Sequence, residues 1–307
     1  MHDALILSIL VATLRAATPL VLAGFGELVA ERSGVLNLGL EGMMLVGASA
    51  GFITTAVSGS LLLGLVASAL GGTLMAAGFS VLTLYLLANQ VATGLALTIL
   101  GIGLSGLIGA GFVGERITPA PHLYIPGLTD IPFAGRIVFG EDAFVYFSLA
   151  LVVAVWLFLY RTRAGLVLRA AGDNHVSAHA LGYPVLRIRM FAVMFGGACA
   201  GLAGAYLPLA YTPFFIPGMT AGRGWIALAL VVFSSWRPAR LVAGAYLFGA
   251  VTILQLHAQA LGIGIPSQFM SALPYLATVI VLVLISRAST GGSTAPAALG
   301  TVFVPDR

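Results

Sequence analysis

The chain contains no lysine; all fourteen of its Lys/Arg-type cations are arginine. A phosphate-gripping P-loop needs that missing lysine, so ATP hydrolysis by this route is excluded for the chain itself. Charge of either sign is scarce: 8% of the 307 residues are charged, against about 25% in a soluble domain. So few charges cannot cover a water-facing surface. The one cysteine, Cys199, rules out a disulfide framework and reads as a small packing residue in the glycine-rich run 196–201. No HExxH, paired-cysteine or nucleophile-elbow pattern occurs, which argues against a catalytic or metal site.

Apolar residues fill the space that charge leaves. They make up 60% of the chain, and the mean hydropathy is +1.07. A bilayer span needs about 20 apolar residues, and runs of that kind occur at 4–28, 42–58, 61–88, 91–112, 143–160, 190–211, 224–236, 239–257 and 270–286. The predicted fold is all-α: a polytopic membrane helix bundle of about nine spans, eight to ten allowing for the short 224–236 run. Residues 1–287 form a single transmembrane domain. A polar, glycine-bearing break is expected at 29–41. The segment 113–142, with Pro119, Pro121, Pro126 and Pro132, reads as a loop outside the hydrocarbon. The small, polar tail 288–307 is expected to be disordered. The first apolar run has no basic region before it and leads directly into further spans, which argues against a cleavable signal peptide.

The arginines carry a sidedness signal rather than a nucleic-acid footprint. Five of them (Arg161, Arg163, Arg169, Arg187, Arg189) crowd the 161–189 loop beside one acid, Asp173, and Arg237, Arg240 and Arg287 follow later spans. The 113–142 loop instead balances two arginines against Glu115, Asp130, Glu141 and Asp142. Basic loops stay in the cytoplasm. The 161–189 loop and the C-terminus are therefore predicted inside, with 113–142 and the N-terminus outside, in a multi-pass protein of the bacterial inner (plasma) membrane. Small-xxx-small spacings such as Gly197 to Gly201 predict close helix packing. The dinucleotide-like run Gly101–Gly106 lacks a preceding strand and a downstream acid, so helix packing explains it better.

Three polar features stand out from the bundle. Around Ser33–Gly34 lie Glu27, Glu31, Arg32, Asn37 and Glu41, which either line a cavity at membrane depth or form a solvated turn. Arg15 either pairs with one of these acids or snorkels to an interface. The third feature is the 161–189 loop, where Leu166, Leu168, Ala170, Ala171, Val176, Ala180 and Leu181 give an imperfect apolar face and Gly182–Pro184 a stop. Such a helix lies on a membrane surface or docks in a partner's groove.

GELVAERSGVLNLGLEGMMLVGA (26–48), TRAGLVLRAAGDNHVSAHALGYPV (162–185) and TAGRGWIALALVVFSSWRP (220–238) resemble, in order, the permeases of nucleoside and simple-sugar ABC importers. These share a wider group with ribose and branched-chain amino-acid permeases. The resemblance implies a translocation path for nucleosides or simple sugars, a second permease subunit (usually a longer sister), a cytoplasmic ATPase and an external solute-binding lipoprotein, all in membrane lipid. It implies that ATP is used by the partner, with no cofactor on this chain. It matches 165–182 to the ATPase-coupling helix, with Arg169, Gly172, Asp173, Asn174 and His175 as coupling residues. Asn37, Glu41, Asn89 and Gln90, each polar beside long apolar runs, are the candidates for lining the path; helix-to-helix hydrogen bonding is the alternative for each.

Two rival classes are weaker. An ion-gradient-driven secondary transporter of small polar solutes would use acids on later helices, yet 190–286 contains no Asp or Glu. A membrane-embedded enzyme would need a catalytic cluster.

Overall fold

The computed structural model describes residues 2–124, 126–127, 129, 131, 135, 139–261, 266–287 and 295–304. Eleven α-helices are seen among them: α1 His2–Arg32, α2 Leu40–Ser58, α3 Leu61–Ser80, α4 Gln90–Gly109, α5 Ala143–Arg161, α6 Arg163–Asp173, α7 His175–Ala180, α8 Val185–Tyr206, α9 Arg223–Phe233, α10 Pro238–Ala260 and α11 Ser267–Arg287. No β-strand is present among the described residues; three isolated bridges join the 113–122 segment to Phe214, Phe215 and Asp142.

Seven of these helices are long and apolar enough to cross a membrane: α1 to α5, α8 and α10. α9 and α11 supply shorter apolar stretches. In the hydrocarbon only a helix satisfies its own backbone polar groups along a single segment, which is why the long apolar runs all become helices. π-turns extend α3 (Val81–Tyr85) and α8 (Leu207–Tyr211).

The core is built where α1, α2, α3 and α8 cross. Lipid gives helices no hydrophobic drive toward one another, so close backbone contact must do that work. Glycine permits it. A Cβ on Gly42 would fall 2.7 Å from the Leu97 carbonyl oxygen, and one on Gly196 3.1 Å from the Gly26 carbonyl oxygen. The Gly197–Gly201 pair packs against Gly72 and Ser68 of α3, as the spacing predicts. Cys199 is buried and its Cβ abuts Gly26. In the dinucleotide-like run only Gly101 makes such a contact, against Gly42, while Gly103 and Gly106 face open space.

Three expectations need correction. α1 does not end near residue 28; it continues to Arg32, and only 33–39 is irregular. Arg15 pairs with none of the acids near the break. Its Nε donates to Glu141 at 2.8 Å, tying α1 to the far end of the 113–142 loop. Finally, the part of the tail at 295–304 is packed, not disordered. Ala298 and Phe303 are buried, and the Ala298 and Gly300 amides donate to the Gly172 and Gly34 carbonyls. The apolar Phe303 ring and these backbone bonds outweigh the polar composition that suggested disorder. The rest of that tail lies outside the described residues.

Candidate functional site

The break at 33–39 is irregular backbone inside a bundle of apolar helices, and its polar groups must find partners there. Side chains of α1, of α4 and of the break itself supply them. Gln90 Oε1 accepts from the Leu36 amide (2.8 Å), Glu27 Oε1 from the Asn37 amide (3.3 Å) and Asn37 Oδ1 from the Gly39 amide (3.0 Å). Thr98 Oγ1 donates to the Leu38 carbonyl at 3.0 Å. Asn37 Nδ2 lies 3.5 Å from Met43 Sδ.

Glu41, the second residue of α2, reaches a different break. Its carboxylate accepts from Thr220 Oγ1 (2.5 Å), the Gly222 amide (2.9 Å) and the Gly224 amide (2.6 Å). These are the free donors at the start of α9, where a negative charge also meets the positive end of the helix dipole. α9 has 11 residues, so it is about 16 Å long. Its other end meets Trp236, whose carbonyl accepts from Arg32 at the end of α1. At about half the hydrocarbon thickness of about 30 Å, α9 is a half-helix that runs between Glu41 and the α1 terminus.

Three of the four path candidates, Asn37, Glu41 and Gln90, are buried and brought together at this double break. The fourth, Asn89, is exposed and accepts from the Ala92 amide at 3.0 Å, capping α4. Each of the four is engaged in a backbone hydrogen bond.

At the α1 terminus the 162–184 segment folds under the bundle as two short helices. Thr162 caps α6 and Asn174 caps α7, their side chains accepting from Gly165 and Ser177 amides. The predicted coupling residues divide by direction. Gly172 is buried, and a Cβ there would strike the Arg32 carbonyl. Arg169 stacks over Tyr160 at 5.0 Å. Asp173 and the Asn174 cap are exposed. His175 Nδ1 meets Arg189 Nη2 at 3.2 Å, and burial, then the Arg189 charge, holds its imidazole below the ordinary value.

Arg189 itself was counted from sequence only as a sidedness charge. It is fully buried and also donates to the Ser33 carbonyl (3.1 Å, Nε) and the Thr301 carbonyl (3.2 Å, Nη1). Its position inside the apolar run VLRIRMFAV was the available signal, because an arginine there must find partners. Trp236 was missed as well; its indole N–H donates to Glu31.

The family of permease components of the branched-chain amino acid transport system matches residues 9–290. The chain belongs to that family. The permease is 44% identical over 293 residues to a putative glucose ABC transporter permease protein of Haloferax volcanii, covering 88% of this chain and 89% of that protein. It is 32% identical over 317 residues to a guanosine ABC transporter permease protein of Bacillus subtilis, with 97% of each covered. A nucleoside ABC transporter permease protein of Lactococcus lactis is 33% identical over 308 residues, with 95% of each covered. The chain is thus a membrane-spanning permease subunit of an ABC importer, and the double break, the α6–α7 segment and Arg189 are parts of that permease.

Proposed function

We propose that this permease carries a nucleoside or a simple sugar inward by alternating access, driven by a separate ATPase that docks on α6–α7. The observation that carries the reading is the fold of 162–184. Two capped helices present Asp173 and Asn174 outward, while Gly172 and His175 touch the ends of α1 and α8. A push on the outer face therefore reaches the break at 33–39 through direct contact. Asn37, Glu41 and Gln90 act by holding that break and the half-helix α9 in place, and Asn89, exposed, faces the path.

The solute class rests on the relatives, named for glucose, guanosine and nucleosides. Counting the 212–236 segment that contains the half-helix α9, and α11, beside the seven long helices, we read nine crossings; the arginines mark the α6–α7 end as cytoplasmic, which has the N-terminus outside. The packed tail at that same end agrees with a cytoplasmic C-terminus. A sister permease fits the outward face of α4, where Gly103 and Gly106 have open space beside exposed Ile99, Ile102 and Leu107; small residues of this kind admit a second helix closely. An external binding protein delivers the solute.

The test is co-expression with the ATPase and sister permease of the same importer. The wild-type chain should copurify with the ATPase and drive ATP-dependent uptake in proteoliposomes, and it should hydrolyse no ATP when purified alone. Failure to bind any ATPase, with intact insertion, would overturn the reading. Cys199 is buried, so Val176→Cys is cleanly addressable; labelling of that variant in intact cells by an impermeant thiol reagent would reverse the assigned sidedness.

A further inference from the structure

Apolar side chains are exposed around the coupling segment. Val176 and Leu181 of the α7 region are 59% and 78% exposed, and Val302 and Val304 of the tail are 48% and 61% exposed. Between the two valines sits Phe303, buried, with its ring 4.9 Å from His175 and 5.4 Å from His179. In extended chain successive side chains point to opposite sides. Phe303 thus anchors the tail on α7, and the valines on either side of it are exposed.

The tail's backbone is held at three further points. The Ala298 amide bonds the Gly172 carbonyl (2.9 Å), the Gly300 amide bonds the Gly34 carbonyl (3.1 Å), and Arg189 bonds the Thr301 carbonyl (3.2 Å). Arg189 simultaneously holds Ser33 and His175. One buried guanidinium thus joins four segments: the break after α1, the start of α7, the cytoplasm-proximal turn of α8 and the tail.

We infer that residues 295–304 are a second ATPase-docking element beside α6–α7, and that Arg189 is the positioning residue that transmits its displacement to the 33–39 break. The proposal rests on the reading of α6–α7 as the coupling face and names a further part of that partner's footprint. The occupant is the ATPase because Phe303, between the two valines, packs on His175 and His179 of that face, and exposed apolar side chains beside a docking face extend a protein contact. An anchored tail with two exposed valines adds area to the footprint, and a five-donor guanidinium ties tail, helix and break together.

The experiment uses the full importer with two variants. Val302→Asp combined with Val304→Asp changes only exposed side chains, so permease abundance and thermal stability should match wild type. ATPase copurification should fall about tenfold, the scale of losing a central interface contact. Arg189→Lys keeps the charge and loses the fork. It should retain the ATPase while solute moved per ATP hydrolysed falls severalfold. Wild-type copurification by the valine double variant overturns the tail as a docking element. An unchanged transport-to-hydrolysis ratio in Arg189→Lys overturns the transmission role. If the wild-type complex itself binds no ATPase, the underlying functional reading fails instead.

Discussion

Trp236 and the end of α1 hold each other in both directions: the Trp236 carbonyl accepts from Arg32 Nε (3.2 Å) and Nη2 (2.7 Å), and its indole N–H donates to Glu31. The contact closes the far end of the half-helix α9 against α1 across 204 residues of sequence. Trp236→Phe preserves the ring but strips the donor from a buried carboxylate. The expected cost is about 2 kcal/mol, the range for a buried group left unsatisfied, read as a lower melting temperature of the detergent-purified permease. Trp236→Phe melting with wild type would show that this bond contributes nothing.

Glu41 serves the other end of α9. Glu41→Gln puts an amide N–H₂ where three donors converge, so at least one bond becomes a donor–donor clash. The loss should be about 1–3 kcal/mol, with lower yield and slower uptake. Thr220→Ala removes one donor and leaves two, so it should cost less. The ordering of the two melting temperatures is the check.

At the opposite end Glu141 is buried, and burial raises its carboxyl while Arg15 works against that shift. Removing Arg15 alone leaves an uncompensated buried acid. Arg15→Ala should therefore destabilise more than the double variant Arg15→Ala, Glu141→Ala, a coupling of about 1–3 kcal/mol in a double-mutant cycle. Additive effects would mean that the pair is a bystander.

Gly172 and Asp173 are neighbours with different burdens. The resemblance gave both the same role, as coupling residues that meet the partner. The structure corrects this for Gly172, because a side chain there meets the Arg32 carbonyl inside the protein. Gly172→Trp should reduce membrane abundance as well as uptake. Asp173→Ala, on the exposed side, should leave abundance and melting unchanged while lowering ATPase copurification. A quantitative blot of membranes separates the two cases.

His175 accepts from Arg189 only as the neutral imidazole, and burial beside that cation depresses its proton affinity. The sign follows from linkage: a depressed group supports the fold above its unfolded value of about 6.5 and loses that support as pH falls through the folded value. The groups facing it are Arg189 and, across the Phe303 ring, His179. Uptake in proteoliposomes should be flat from about pH 7 to 8 and decline below about pH 6. His175→Asn, which still offers an acceptor, should remove the acid limb; an unchanged limb would place the titration elsewhere.

How far the sequence reached can be argued from these residues. The long apolar runs became spans because each satisfies its backbone within itself, whatever its neighbours. The arginine-rich 161–189 stretch was legible as an amphipathic interruption for the same local reason, and Gly197–Gly201 as a packing pair. Other positions were read only as candidates. Asn37, Glu41 and Gln90 were visible as polar residues out of place, but not as the partners that complete two breaks in the backbone.

What the sequence determined by itself, then, is the solvent, the helices, the asymmetry of charge and the segment where the chain leaves the bundle. These depend on composition within about 20 residues, the thickness of the hydrocarbon. Tertiary structure alone decided that Arg15 meets Glu141, that Glu41 caps a helix 183 residues away at Gly224, and that Arg189 gathers Ser33, His175 and Thr301. Such pairings depend on which helix backbones approach closest. That choice is set by glycines spread over α2, α3, α4 and α8, and no local window of sequence contains it.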